Sequence, residues 1–169
     1  KRMMLKGQVF RGERSLQESM AFNDVIVTRS GYSRLVELKI YVDGHLLDIY
    51  AADGVIVATP TGSTGYNLSA GGPVVFPPPE MMIITPICPH SLSARSVVVP
   101  PDAQVVVEVG KRRKTQKEEA LVTYDGQTVW NLETGDQVRV ERSPIYVPMI
   151  SIRQNDFCDV LRNKLKNVQ

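Results

Sequence analysis

Apolar residues in this chain recur mainly in short runs bounded by turn residues, not at helical spacing. MLKGQVF (Met4 to Phe10) alternates weakly and predicts a strand. The polar stretch RGERSLQES after it reads as a charged linker. DVIVTRS (Asp24 to Ser30) reads as a buried strand, and the following GYS as a turn. LVELKIYVDGHLLDIYAADGVIVATP then predicts strand pairs punctuated by Asp43-Gly44 and Asp53-Gly54. Asp-Gly between β-branched runs is the strongest short hairpin signal. YNLSAGG predicts a short helix closed by glycine. The second half continues with MMIITPI, RSVVVP, AQVVVEVG, ALVTYDGQTVW and DQVRVERS, with turns at Asp125-Gly126 and Gly135-Asp136. Val, Ile and Thr at this density favour strands. KRRKTQKEE (Lys111 to Glu119) reads as a solvated hairpin loop, with a basic ligand patch as the other reading. Only FCDVLRNKLKNV has helical spacing, placing Phe157, Val160, Leu161 and Leu165 on one face. The expected fold is all-β: a two-layer, sandwich-like single domain spanning residues 1–169. One short helix follows the TGSTGY loop and a second closes the chain.

Bulk properties narrow the function classes. The 169 residues are 43% hydrophobic and 22% charged, as in an ordinary globular domain. A net charge of +2 offers no field of the kind that marks a general nucleic-acid binder. No apolar run approaches the roughly 20 residues that span a bilayer. Two separated cysteines, Cys88 and Cys158, give no disulfide framework, so a reducing, cytoplasmic setting is expected. The sequence opens on Lys1 inside a strand-like run, and is expected to be part of a longer chain.

Candidate chemistry concentrates in TPTGSTGYNLSAGGP, from Thr59 to Pro73. A Walker loop would need a lysine after its glycines, and none is present. Gly62-Ser63-Thr64-Gly65 lacks the G-x-S-x-G spacing of a nucleophile elbow. A dinucleotide fingerprint needs three spaced glycines opening a helix in a βαβ unit, which strand-rich surroundings do not provide. What remains is a turn lined by hydroxyls and N–H groups beside Tyr66, whose ring offers a stacking face and one hydroxyl. On composition alone it is equally an inert surface loop.

Four stretches taken together go further. FNDVIV (Phe22 to Val27), ADGVIVATPTGSTGYNLSAGGP (Ala52 to Pro73), ITPICPHSLSARSVVVP (Ile84 to Pro100) and YDGQ (Tyr124 to Gln127) resemble the C-terminal domain of NAD kinases, in order and at compatible spacing. The resemblance implies an all-β domain that binds the dinucleotide. It also implies an enzyme that phosphorylates the 2′-hydroxyl of the adenosine ribose of NAD. The donor would be ATP or polyphosphate, with a divalent metal such as Mg²⁺ or Mn²⁺. By the same resemblance, Asn23 and Asp24 match an Asn-Glu/Asp pair that holds ribose and nicotinamide groups. An amide beside a carboxylate suits sugar hydroxyls, which both donate and accept. Thr61 and the run Thr64, Gly65, Tyr66, Asn67, Leu68 and Ser69 match the TGSTAY-type segment around adenine and ribose, with Gly65 where alanine is commoner. Asp53 matches an acid that reaches NAD across a subunit boundary, which implies a homodimer or homotetramer. Arg34 falls where some relatives place a ligand-contacting side chain, and Gln127 matches a late glutamine near the same pocket.

Cys88 and His90 have half the spacing of a metal site, but no partner pair elsewhere completes it, so a partly buried packing role is expected for the cysteine. The resemblance instead sets Cys88, His90 and Arg95 at the far end of the site. It also implies that the general base is an aspartate in a GGDG motif of an upstream α/β domain. No GGDG occurs in this chain, which is therefore expected to bind substrate without transferring phosphoryl groups. Two rivals stay open: a lipid-phosphorylating relative, against which the polar cluster argues, and a non-enzymatic β-sandwich for protein interaction.

Overall fold

The computed structural model describes residues 1–31, 35–76, 79–111, 118–150 and 157–166. Two six-stranded sheets, antiparallel throughout, face each other. The strands of the first half are β1 (Arg2–Arg11), β2 (Arg14–Ala21), β3 (Asp24–Arg29), β4 (Val36–Val42), β5 (His45–Ala52) and β6 (Gly54–Ala58). A 3₁₀ turn (Gly62–Thr64) and helix α1 (Tyr66–Ser69) follow. Then come β7 (Met82–Ile87), β8 (Val97–Val99), β9 (Val105–Val109), β10 (Glu119–Tyr124), β11 (Thr128–Glu133), β12 (Gln137–Val147) and helix α2 (Phe157–Lys166). One sheet runs β2-β1-β12-β9-β4-β5, and the other runs β11-β10-β3-β6-β7-β8.

The periodicity of each strand follows from its place. In β1, alternate residues Met3, Leu5 and Val9 point into the core while their neighbours face water. The central strands of the second sheet, β6 and β7, are buried at every position. Val55, Val57, Met82 and Ile84 face the first sheet. Ile56, Ala58, Ile83 and Ile87 face outward, where Ala70 and Val75 cover them. That double burial explains the apolar run GVIVA and the run MIITPI, apolar but for Thr85. Phe76 leads away from this cover and stacks on Phe157 of α2, ring centroids 4.3 Å apart.

The expected sandwich and both helices are present, with three local corrections. RGERSLQES is not a linker: a tight turn at Gly12 leads into β2, paired along β1. An edge strand needs no apolar outer face, so its sequence looks like a loop. Asp53-Gly54 is no hairpin, because β5 and β6 belong to different sheets. Glycine is required there by close approach, since a Cβ would lie 2.5 Å from the Val27 carbonyl oxygen. The run from Lys111 to Glu119 is likewise no hairpin, because β9 and β10 lie in opposite sheets; its residues 112–117, like the Tyr32-Ser33 turn, fall outside the described residues. By contrast, Asp43-Gly44 and Asp125-Gly126 are true turns, with both residues of each at positive φ.

Tyr124 joins the layers. Its hydroxyl donates to Gln17 Oε1 at 2.8 Å across the sandwich. Its ring fills the space above Gly7, where a Cβ would sit 2.5 Å from Tyr124 Cε1. Gly7→Ala should therefore cost about 2 kcal/mol by overpacking, and Tyr124→Phe about 1 kcal/mol for the lost hydrogen bond. Urea denaturation checks both, and wild-type midpoints for the two variants would refute this account of the inter-sheet contact.

Candidate functional site

At the start of β3 the chain is gripped from both sides. The Thr59 N–H donates to the Asn23 carbonyl at 2.9 Å, and the Thr59 hydroxyl donates to the Phe22 carbonyl at 2.8 Å. The same hydroxyl oxygen accepts the Gly62 N–H at 3.0 Å. Opposite, the Asp125 carboxylate accepts the N–H groups of Phe22, Asn23 and Asp24 at 2.7, 2.7 and 3.1 Å. Gly62 packs on the Asn23 backbone so closely that any Cβ would collide with the Asn23 carbonyl.

Asp24 is only 4% exposed. Burial, and then the charge of Asp125, push its carboxyl up to about 6. No donor among the described residues serves that carboxyl. At Gly65 in the following loop, a Cβ would lie 4.0 Å from Asp24 Oδ2. A mostly buried carboxyl whose pKa is raised by burial and a neighbouring acid is a recurring mark of ligand sites.

The Thr59–Phe76 segment lies across the outer face of the second sheet and is pinned there by buried polar side chains. The Ser63 hydroxyl donates to the Pro60 carbonyl at 2.7 Å and accepts the Val75 N–H at 3.0 Å. The Asn67 amide donates to the Ser63 and Pro73 carbonyls at 3.1 and 3.0 Å and accepts the Thr85 hydroxyl at 2.7 Å. Tyr66 stands 46% exposed at the surface of this cover.

The other end of the β3–β6 ladder lies about 13 Å away, four residues at strand rise. There an open groove of about 460 Å³ is lined by Thr28, Arg29, Asp53, Tyr66, Ile87 and Cys88. Arg29 Nε donates to Asp53 Oδ1 at 2.6 Å, and the same guanidinium also donates to the Gly31 carbonyl. The second Asp53 oxygen has no partner among the described residues. The arrangement thus offers hydrogen-bonding groups at two ends, an aromatic face between them, and an apolar sheet surface beneath.

A family model for the ATP-NAD kinase C-terminal domain matches residues 22–152. The chain belongs to that family. It is 46% identical over 165 residues to an NAD kinase of Lachnoclostridium phytofermentans, covering 96% of this chain and 58% of the relative. It is 43% identical over 165 residues to one of Caldanaerobacter subterraneus subsp. tengcongensis, covering 98% and 57%. The chain therefore spans somewhat over half the length of these relatives. Among solved structures, yeast NADH kinase complexed with NADH superposes with a TM-score of 0.76 at 34% identity, over 84% of this chain and 40% of that one. An Archaeoglobus fulgidus NAD kinase in complex with ATP gives 0.68 at 30%, over 85% and 53%.

Within this NAD kinase domain, the residues singled out from sequence fall into distinct settings. Asp53, Tyr66 and Cys88 meet in the groove, while Asn23, Asp24 and Gly65 gather at the opposite end. Thr61 lines a small cavity with Pro60 and Arg2. Thr64 is half-buried, Leu68 is half-buried and Ser69 is exposed. Asn67 is fully buried and bonded inward. Gln127 is exposed, its N–H closing the turn onto the Tyr124 carbonyl at 3.0 Å. Arg34 lies outside the described residues. Cys88 is exposed, not packed as expected, because its φ of 45° turns the chain away from the core just after β7. His90 is exposed, and the Arg95 guanidinium folds back onto the Leu92 and Ala94 carbonyls. Sequence reasoning overlooked Thr59, Arg29 and Asp125. The signal for Asp125 was present in YDGQ, but an Asp-Gly turn explains itself without a further role.

The Asp24 shift carries a stability consequence. A carboxyl whose folded pKa exceeds its ordinary value binds more protons folded than unfolded between those values. Its stabilising protonation is thus present at low pH and lost as pH rises through about 6. In Asp24→Asn this dependence vanishes. The variant's stability relative to wild type should climb by about 2–3 kcal/mol between roughly pH 4 and pH 8. Thermal unfolding across that range checks it, and a pH-independent difference would rule out a buried, titrating Asp24.

Proposed function

We propose that this chain is the dinucleotide-binding part of an NAD kinase, an enzyme that transfers a phosphoryl group to the 2′-hydroxyl of the adenosine ribose of NAD. The observation that carries this reading is the convergence of Asp53, Tyr66 and Cys88, from separated segments, on one open groove, with Asn23 and Asp24 at the opposite end of β3. In this reading Tyr66 stacks on the adenine, and hydroxyls and amides of the Thr61–Ser69 run surround its ribose. Asn23 and Asp24 take the hydroxyls of the second ribose. Asp53, with one oxygen held by Arg29 and the other available to accept, meets a dinucleotide bound in its own or a neighbouring subunit. Gln127 completes the rim.

The upstream part of such a kinase would supply an α/β domain with the base aspartate and the phosphoryl donor, ATP or polyphosphate. Among the described residues no group of three or more His, Cys, Asp or Glu gathers to hold a metal ion. A divalent ion such as Mg²⁺ or Mn²⁺ would neutralise the phosphates of the donor. A homo-oligomer in the cytoplasm is the setting that fits a site shared between subunits and two cysteines that form no disulfide. No helix among the described residues is long and apolar enough to cross a membrane.

Calorimetric titration of the chain with NAD should show saturable binding. Tyr66→Ala and Asn23→Ala should each weaken it by about tenfold, the loss of one stacking face or one hydrogen-bonding pair. The chain alone should form no NADP from NAD and ATP. Full-strength binding by both variants would remove these residues from the site, and NADP formation by the pure chain would defeat the division of labour.

A further inference from the structure

We propose that Asp125 is a positioning residue of this site: its carboxylate gathers the N–H groups of Phe22, Asn23 and Asp24, and so fixes how the Asn23 amide and the Asp24 carboxyl meet the ligand. The proposal rests on the reading that NAD binds at this end of β3.

The turn alone does not explain Asp125. At Asp125-Gly126 both residues sit at positive φ, a geometry that Asn-Gly satisfies equally well. The other turn of this kind provides the comparison. Asp43 also has positive φ and accepts one N–H, from Gln104 at 2.8 Å. Asp125 accepts three, using both oxygens: Oδ2 takes Phe22, and Oδ1 takes Asn23 and Asp24. An amide has only one acceptor oxygen and would set its NH₂ against a backbone donor. This anchoring therefore requires a carboxylate where the turn does not.

The grip is also two-sided. The Asp24 carbonyl accepts the Asp125 N–H at 3.0 Å, and Thr59 holds the carbonyls of Phe22 and Asn23. Residues 22–24 thus have their backbone donors fixed by one segment and their acceptors by two. The Asn23 amide, by contrast, is half-buried with no partner among the described residues, and is left for a ligand. Asp125 further acts on Asp24 by charge. Among the described residues packed around Asp24, it is the one charged group whose field raises that carboxyl, since β6 brings Ala58 opposite it and the following turn brings Gly65. A negative neighbour disfavours a second negative charge. Asp125 therefore orients Asp24 and, second to burial, raises the pH at which it ionises and loses its O–H donor.

Asp125→Asn is the discriminating variant, because it preserves the turn and removes one acceptor oxygen and the charge. Asp43→Asn is the control, an equal change at the other turn. NAD affinity is measured by calorimetry, folding by thermal unfolding, and the Asp24 carboxyl by its carbon-13 titration. Asp125→Asn should weaken NAD binding by about tenfold, and should move the Asp24 midpoint downward by about half a pH unit. Its melting temperature should stay within a few degrees of that of Asp43→Asn, whose affinity should equal wild type. Wild-type affinity in Asp125→Asn, an unmoved Asp24 midpoint, or the same loss of affinity in Asp43→Asn would overturn the proposal. If wild type binds no NAD, the functional reading fails on its own, and the resonances still decide here. Amide signals of residues 22–24 that shift with a lowered Asp24 midpoint support the anchoring role, and unchanged signals refute it.

Discussion

The side-chain amide of Asn67, fully shielded from water, carries the arrangement of the whole outer face of the second sheet. A buried amide without partners would cost several kcal/mol. Here both its ends are satisfied, by the Ser63 and Pro73 carbonyls and by the Thr85 hydroxyl. Those three partners belong to the turn before α1, the chain after it, and strand β7. One side chain therefore fixes the loop on the sheet, and the loop can only lie where Ile26, Ile56, Ile83 and Ile87 need covering. The apolar demand of the sheet and the polar demand of Asn67 are met by a single placement of the segment. Tyr66 stands outward as a result, because its neighbour Asn67 points in.

The two ends of the β3–β6 ladder are built on opposite electrostatic principles. At one end Asp53 is paired with Arg29 in a half-exposed ion pair. Such a pair contributes little to stability, but holds its carboxylate in a defined orientation over the groove. At the other end Asp24 has no counter-charge among the described residues and sits beside a second acid, so the fold bears the cost of burying it. Arg11 and Asp136 show what this molecule does when an acid serves only the fold. Asp136 is buried, receives two guanidinium hydrogen bonds, and is held below the ordinary carboxylate range. Against its burial, those bonds and the Glu133 N–H win. Asp24 lacks any such compensation, which sets it apart as a group kept for something other than stability.

Under the proposed function, a wall of this kind suits phosphoryl transfer, in which the protein contributes mainly positioning and charge neutralisation. Rigidity in the wall matters more than reactive groups. The described residues of the site are accordingly held by backbone hydrogen bonds and buried hydroxyls, with few long flexible chains among them.

The sequence by itself determined most of the strands, both helices and the two-layer architecture. Alternation in β1, and the consecutive buried residues rich in Val and Ile in β6 and β7, leave few alternatives for where each side chain goes. It also determined the family, through motifs whose order survives in the linear chain. Where local signals can be met in two ways, only tertiary structure decided. Arg14–Ala21 reads as a loop but pairs with β1, because an edge strand is free of the demand for an apolar outer face. Asp53-Gly54 reads as a hairpin but carries the chain between sheets, because its glycine answers to the Val27 carbonyl and not to a turn. Asp125 reads as turn chemistry, and its three N–H partners lie a hundred residues away in the chain. Short-range preference is written in neighbouring residues. Which distant backbone a carboxylate will meet is set only when two sheets have packed and their edges come into register.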